Sequence, residues 1–524
     1  MRLLTQFALA LTLFGGAAAA GAATPSLRFQ VDGNTLLSRE QIAAALSAVH
    51  GGANMATVEQ AAQRLQLAYR HAGWGTVVVQ VPPQTVLHRL VHLRVVEGRI
   101  SRVRIAGLVV LTPHNVLHAL PALRLGRTPN LAALDSELLM VNDDPAKDVR
   151  VIFQPGDKPA QVESLIVVHE HPVTQWTVGL NNSGNAASGH LRAYLDYRNA
   201  NLRDSDSLLA LRLQTSPQQP SQASSLSAEL RVPLYRRHMF IEWSALASDT
   251  SDSPVATPAG ALRFTGKGYA LGLRAIWLRP LLAREQQQFA IGLNARRYRN
   301  DCTLGVFGAA GCGPAAASIS VLPLSLGYVL QRPGSGVISL GLVQNLPLGA
   351  AGDQAAFDAA RPGAPAAYRL LRVDALAQHR FAGARRLDWR LDAQYSRQAL
   401  VSAEQFGIGG ATSVRGYPEM ALAGDSGAST SAEFSVPLGR TPVGSTVSGR
   451  LRGAVFADAG LVVNQLGTEC LPGRARCSIW GTGVGLRLAI GRAALHLDLA
   501  RAGATAGSTQ RGDWLADFDL HLTL

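Results

Sequence analysis

The chain has 524 residues, too many for one ordinary domain, and its 52 glycines with only 6% aromatic residues do not fit a protein built on long helices. Its net charge of +13 rests on arginines spread along the chain, whereas a nucleic-acid-binding face gathers its basic residues into one patch. No nucleic-acid partner is expected.

Residues 1–23 join a basic start at Arg2, an apolar run over 7–14 and a small-residue end over 17–23, the pattern of a secretory signal peptide cleaved near Ala22 or Ala23. A transmembrane anchor needs about 20 apolar residues, more than this run supplies. Later in the sequence no long apolar stretch recurs, so a membrane crossing by the mature chain is expected to use strands.

From Leu27 the pattern reads β-α-α-β-β. Leu27, Phe29 and Val31 alternate as a strand, and Ser38 with Gln41 opens a helix by a capping box. Thr57 with Gln60 predicts a second helix start, Ala61, Leu65, Ala68 and Tyr69 share a face, and Gly73 stops the helix. Strands follow at 77–81 and 90–96. The order then repeats: a strand at 103–105, a helix capped by Thr112 with Pro113 in its first turn, a helix at 131–140, and strands at 149–153 and 162–169.

From Thr174 a period of two takes over and lasts to the end, in segments of about ten residues with one apolar face, as in a membrane barrel. Strands leaving the periplasmic side are expected near Gln175, Leu208, Phe240, Phe289, Val337, Leu387, Leu451 and Leu495, each with a returning partner, giving about sixteen strands, an even number. Arg390, Arg450 and Arg452 then fall at lumen-facing positions. In the last strand Phe518, Leu520, Leu522 and Leu524 alternate with Asp517, Asp519, His521 and Thr523, one side for lipid and one for the lumen. The chain ends on Leu, not the aromatic residue typical of such barrels, which predicts a weakened assembly signal.

One stretch, 406–418, stands apart. Its glycines Gly407, Gly409, Gly410 and Gly416 permit tight, partly left-handed backbone, and Val414-Arg415-Gly416-Tyr417 sets a permanent charge between an apolar and an aromatic residue. A guanidinium so placed needs a carboxylate. Phe456-Ala457-Asp458-Ala459-Gly460 offers one, on a segment whose alternation points Arg452, Phe456 and Asp458 to one face. In the strand register the Arg-Gly-Tyr loop lies outside, between strands eleven and twelve, and is read as a loop folded back into the pore with Arg415 paired to Asp458. Gly481, Gly483 and Gly485 precede no helix that could hold phosphate, so they are read as a side-chain-free wall for that loop.

The four cysteines form two close pairs, Cys302 with Cys312 and Cys470 with Cys477. Export favours disulfides, and neither pair has the spacing or the nearby histidine of a zinc site. Both fall in outward loops. His88 and His92, four apart on a strand, sit about 13 Å from each other, too far to share a metal. His169 and His171 are read as a polar strand face. Neither a nucleophile-elbow serine nor a phosphate-cradling Gly-Lys loop is present, so no enzymatic activity and no cofactor are expected.

The Val-Arg-Gly-Tyr loop followed by Phe-x-Asp-x-Gly resembles the sixth extracellular loop and thirteenth strand of the POTRA-plus-barrel superfamily of outer-membrane transporters and insertases. Within it the chain most resembles the two-partner secretion transporters of the hemolysin-activator type; 82–84 and 95–100 resemble their first POTRA domain. The resemblance implies a 16-stranded antiparallel transmembrane β-barrel (173–524) after two periplasmic α/β POTRA domains (24–101 and 102–172), the general insertases usually carrying three to five. It also implies an outer-membrane pore exporting an unfolded adhesin or hemolysin, with an amino-terminal secretion domain that docks on the POTRA domains. A monomer in outer-membrane lipid is expected. Many members place a plug helix and a Pro-rich linker before the first POTRA domain, whereas only a few residues separate the expected cleavage site from Leu27, so the plug is expected to be missing or supplied otherwise. An assembly insertase is the second reading, and a passive porin or surface receptor the third.

Overall fold

The computed structural model describes residues 27–49, 52, 54–86, 88–185, 188–251, 255–257, 260–280, 285–304, 317–443 and 447–524. The expected signal peptide lies outside the described residues. Compactness divides the chain into two units, one running to Arg102 with 124–132 and 154–163, the other holding 103–123, 133–153 and 164–524.

In the first module β1 (Arg28–Asp32), α1 (Arg39–Ser47), α2 (Met55–His71), β2 (Val77–Gln80) and β3 (Leu90–Glu97) follow in order. The sheet order is β1-β3-β2, with β1 parallel and β2 antiparallel to β3. Ala61, Leu65 and Tyr69 of α2 bury against Val77, Val91, Leu93 and Val95, as the helical spacing requires. Ser38 and Gln41 form the capping box at α1. At α2 the start differs from expectation: Asn54 is the cap, its side-chain oxygen accepting from the Thr57 amide at 3.0 Å. The Asn54 oxygen reaches the free amide first, so Thr57 becomes part of the first turn instead of its cap.

The strands change sheets at Gly98. A second β-α-α-β-β run comprises β4 (Arg99–Ala106), α3 (Pro113–Ala119), α4 (Leu131–Val141), β5 (Lys147–Pro155) and β6 (Gln161–Glu170), with sheet order β4-β6-β5. Thr112 caps α3 with Pro113 at its first position.

The barrel follows: β7 (Thr174–Asn181), β8 (Arg192–Leu202), β9 (Ser207–Thr215), β10 (Ala223–Leu234), β11 (Met239–Ser251), β12 (Val255–Thr257), β13 (Gly260–Pro280) and β14 (Gln286–Leu304). Then come β15 (Ile319–Val321), β16 (Pro323–Arg332), β17 (Gly336–Asn345), β18 (Arg369–Arg380), β19 (Arg386–Tyr395), β20 (Phe406–Ile408) and β21 (Leu422–Gly424). Last are β22 (Ser426–Val443), β23 (Val447–Val463), β24 (Arg476–Ile490), β25 (Ala493–Ala502) and β26 (Trp514–Thr523). Among the described residues sixteen antiparallel strands close the barrel, β26 pairing with β7 from Asp519 opposite Asn181 to Thr523 opposite Thr177; β12 and β15 only extend outward hairpins, and β20 with β21 forms a separate pair.

Closure is what lets strands cross a bilayer, since it leaves no backbone group unpaired at an edge. No helix among the described residues is long and apolar enough to cross a membrane. Leu271, Leu342, Val455, Val484, Leu520 and Leu522 project from the outer face, while Asp458, Glu433 and Asp498 sit on the lumen side of the same sheet. That is the expected alternation of a barrel with lipid outside and a polar interior.

Candidate functional site

β20 and β21 pair as antiparallel legs, Phe406 opposite Gly424, and residues 409–421 form the tip between them. The tip turns sharply: Gly409, Gly410 and Gly416 have φ of +111°, +99° and +93°, a region that β-carbon sterics close to most residues. At Gly416 the added carbon would also press on the Ala502 amide and the Arg501 carbonyl carbon, both 3.2 Å away.

Arg415 is 6% exposed and Asp458 3%. Arg415 Nε donates to Asp458 Oδ2 at 2.8 Å, Nη2 to Oδ1 at 2.9 Å, and the Arg415 backbone amide to Oδ2 at 3.1 Å. The planar fork therefore meets both carboxylate oxygens at once, a geometry only arginine offers. Its flat face lies 3.3 Å from the centre of the Phe456 ring.

The guanidinium has further partners that sequence reading missed. Nη1 reaches Glu433 Oε2 at 2.8 Å and Asp498 Oδ2 at 3.4 Å, and Nη2 reaches Ser431 Oγ at 3.2 Å. Arg487 holds the same two carboxylates, Glu433 at 2.8 Å and Asp498 at 2.6 Å. Strands β22, β23, β24 and β25 thus each contribute a charged group. Alternation could have marked Glu433 and Asp498 as inward-facing, but which inward groups meet depends on register across four strands.

The flanking residues anchor the tip. Val414 is fully buried with Ile408, Leu422, Val462, Cys477 and Ile479, and a side chain at Gly460 would stand 3.0 Å from Val414 Cγ2. Tyr417 Oη accepts from the Ala504 amide at 2.9 Å and lies 2.9 Å from the Trp480 carbonyl oxygen, to which it donates. The three β24 glycines divide their work. A β-carbon at Gly481 would overlap the Arg415 carbonyl oxygen, one at Gly483 the Phe456 ring, and one at Gly485 the Asp498 and Arg487 side chains. Only Gly481 lies against the loop itself; the other two clear space for the loop's partners.

Cys470 and Cys477 are joined by a disulfide, with Cα atoms 6.1 Å apart. Cys470 lies in the outward connection between β23 and β24 as expected, whereas Cys477 is already the second residue of β24, so the bridge ties the connection to the strand's outer end. Cys312 lies outside the described residues, as does the side chain of Cys302. His92 Nδ1 is 2.9 Å from Asp32 and His171 Nε2 2.9 Å from Asp148, so each has a single carboxylate partner. Among the described residues no group of three or more His, Cys, Asp or Glu is placed to hold a metal ion.

Beneath the tip the lumen holds a cavity of about 610 Å³ lined by Arg386, Arg390, Arg452, Arg487, Asp388 and His496 together with Arg415 and Glu433. Arginines thus wall a space beside the inward-folded loop, on the polar interior side expected of such a barrel. The profile of a family described as haemolysin secretion/activation protein ShlB/FhaC/HecB matches residues 163–488. The chain belongs to this family. A profile described as POTRA domain, ShlB-type, matches residues 25–98. The outer membrane transporter CdiB of Escherichia coli O6:K15:H31 (strain 536 / UPEC) is 25% identical over 476 residues, 87% of this chain and 73% of that protein. Solved structures of CdiB from Escherichia coli and from Acinetobacter baumannii share the fold, with TM-scores of 0.77 and 0.71 at 18% and 16% identity. The first covers 98% of this chain and 93% of that one, the second 95% and 90%. As a member of the haemolysin secretion/activation family, the protein is an outer-membrane pore that recognises and exports a partner exoprotein by two-partner secretion, with POTRA structure on the periplasmic side. Members of the family are transporters and not enzymes.

Proposed function

We propose that the exported partner is an adhesin or haemolysin whose amino-terminal secretion domain docks on two POTRA domains, 24–101 and 102–172, and then threads the barrel of 173–524 unfolded. The transporter works as a monomer in outer-membrane lipid and performs no catalysis. The observation that carries this reading is the Arg415–Asp458 clamp, which fixes a folded-back loop across the lumen and so gives the passage a movable obstruction. A passive porin needs no such loop, and the β-α-α-β-β modules add a docking surface that a porin lacks.

Docking by strand addition needs a sheet edge with free backbone groups. On the outer edge of β2, Val77 N donates to Trp74 O, and the Gln66 amide occupies the Val77 carbonyl and the Val79 amide, the latter at 2.7 Å. Arg28 N bonds Arg89 O beside β3, so the alternate residues Phe29 and Val31 turn their backbone groups away from the sheet. The β1 edge is therefore where the secretion domain adds a strand. In a binding assay with the purified full-length transporter, Val31→Pro, which removes one outward amide, weakens capture of the cargo's secretion domain by roughly tenfold, about 1.4 kcal/mol. Equal capture by wild type and variant would refute docking at β1, and no capture by wild type at tens of micromolar would refute docking on these modules.

A further inference from the structure

A second buried ion pair sits at the opposite end of the same loop. Asp425 follows the second leg, β21, directly, and Gln405 precedes the first leg, β20. The Asp425 side chain is fully buried and that of Arg361 is 12% exposed. Arg361 approaches it as a fork: Nη1 bonds Asp425 Oδ1 and the Leu400 carbonyl oxygen, and Nη2 bonds Asp425 Oδ2 at 3.0 Å. The carboxylate also accepts from the Leu400 amide at 2.9 Å, Gln405 Nε2 at 3.1 Å and the Gln465 amide at 2.7 Å. Arg361 Nη2 reaches on to Thr468 Oγ1 at 3.2 Å.

These partners come from three different outward connections. Arg361 ends the helix α5 (Gln354–Ala360) in the connection between β17 and β18; Leu400, Gln405 and Asp425 belong to the connection between β19 and β22; Gln465 and Thr468 belong to that between β23 and β24. The first two connections also share an apolar core, in which Phe357 and Tyr368 pack with Leu400 and Val401. Glu404, fully buried one residue before Gln405, takes Arg296 of the lumen wall at 2.9 Å. The outer mouth thus has a roof with its own packing, and one carboxylate stitches its parts together.

We propose that Arg361 and Asp425 form a base clamp that holds both legs of the loop where they leave the wall and keeps the outer mouth shut independently of Arg415. The idea rests on the reading of residues 406–424 as a movable obstruction. No charged partner is shared between the two clamps: Arg415 is bound by Glu433, Asp458 and Asp498, Arg361 by Asp425. Release of the tip therefore leaves the roof closed, and full opening requires both clamps to yield. A buried carboxylate stripped of its guanidinium keeps three neutral donors but loses its charge-assisted fork, which loosens the roof without touching the strand pairing of the barrel.

The test is the closed-state conductance of purified full-length variants in planar bilayers, alongside heat-modifiable migration in gels. Arg361→Gln and Asp425→Asn each raise the open population roughly tenfold, the scale of one lost charge-assisted hydrogen bond, while migrating as folded barrels. Arg361→Lys, which keeps the charge and loses the fork, falls between them and wild type. Arg415→Ala combined with Arg361→Gln exceeds either single change. Wild-type conductance in both Arg361→Gln and Asp425→Asn overturns the proposal. So does loss of the folded band in both, because the pair would then serve assembly instead of closure. The conductance readout uses no cargo: an opened pore with unchanged export would uphold the clamp as a closure of the pore and sink the reading of the loop as what holds back the exported chain.

Discussion

Arg415 and Asp458 are each buried, so removing either leaves the other without its fork partner in a confined space. Breaking such a pair costs about 3–5 kcal/mol where water is excluded. Barrel integrity rests on closed strand pairing, which neither side chain supports. Arg415→Ala and Asp458→Ala are therefore expected to cripple cargo release into the medium while the barrel keeps its heat-modifiable band. Arg415→Lys belongs with them, because an ammonium cannot span both carboxylate oxygens and stack on Phe456. Wild-type release by all three would remove the pair from the export mechanism.

The strand β24 permits a finer test of the loop's seat, since its three glycines face different neighbours. A β-carbon at Gly481 meets the Arg415 carbonyl oxygen, which is backbone and cannot step aside without moving the loop. One at Gly485 meets the ends of the Asp498 and Arg487 side chains, which can rotate. Gly481→Ala should reduce export strongly and Gly485→Ala mildly, both read as cargo released per folded transporter. Reversal of that order would show that the loop does not rest on Gly481. Much of this element was legible beforehand: the period of two placed the strands, and Phe456, Asp458 and Gly460 lie on the strand the spacing assigned to them. Glu433, Ser431 and Asp498 were not legible as Arg415 partners, nor Arg487 as the second arginine on two of them, because the three partners lie 16 to 83 residues from Arg415 and all four come together around it only when the barrel closes. The same holds for Arg361 and Asp425, whose 64-residue separation spans connections with no periodic signal at all. At Thr57 a local pattern misled for the opposite reason, a better-placed Asn54 having been available three residues earlier.

At the scale of the molecule, the second α/β module is joined to the first barrel turns by buried charge. Lys147 Nζ, fully buried, donates to Asp206 Oδ1 at 2.6 Å and to Asn115 Oδ1 at 2.6 Å, and Tyr235 Oη donates to Asp206 Oδ2 at 2.6 Å. Arg231 of β10 also pairs with Asp143 at 2.7 Å, one residue from Asp144. Burial pushes the Asp144 carboxyl up to about 7; the Ala146 amide and Lys147 pull it down, while Asp206 and Asp143 push it further up. The folded chain thus keeps a proton that an unfolded aspartate releases near about 4. More protons bound in the folded state means that stability falls as pH rises between those two values and levels off above the higher one. Protease resistance of the full-length protein around 142–146 should drop from pH 5 to pH 8. Asp144→Asn should abolish that drop, and an unchanged pH profile in the variant would assign the titration elsewhere.

Arg487 also holds Glu433 and Asp498, so departure of the loop leaves Asp458 as the one carboxylate of the three with no arginine, while the other two share a single guanidinium. The electrostatic toll of vacating the seat falls hardest on that one group, and the other two acidic partners keep a shared cation throughout. A latch of this kind can be lifted by the pull of a chain binding in the passage and can fall back unaided, which suits a machine in a compartment that offers it no nucleotide fuel.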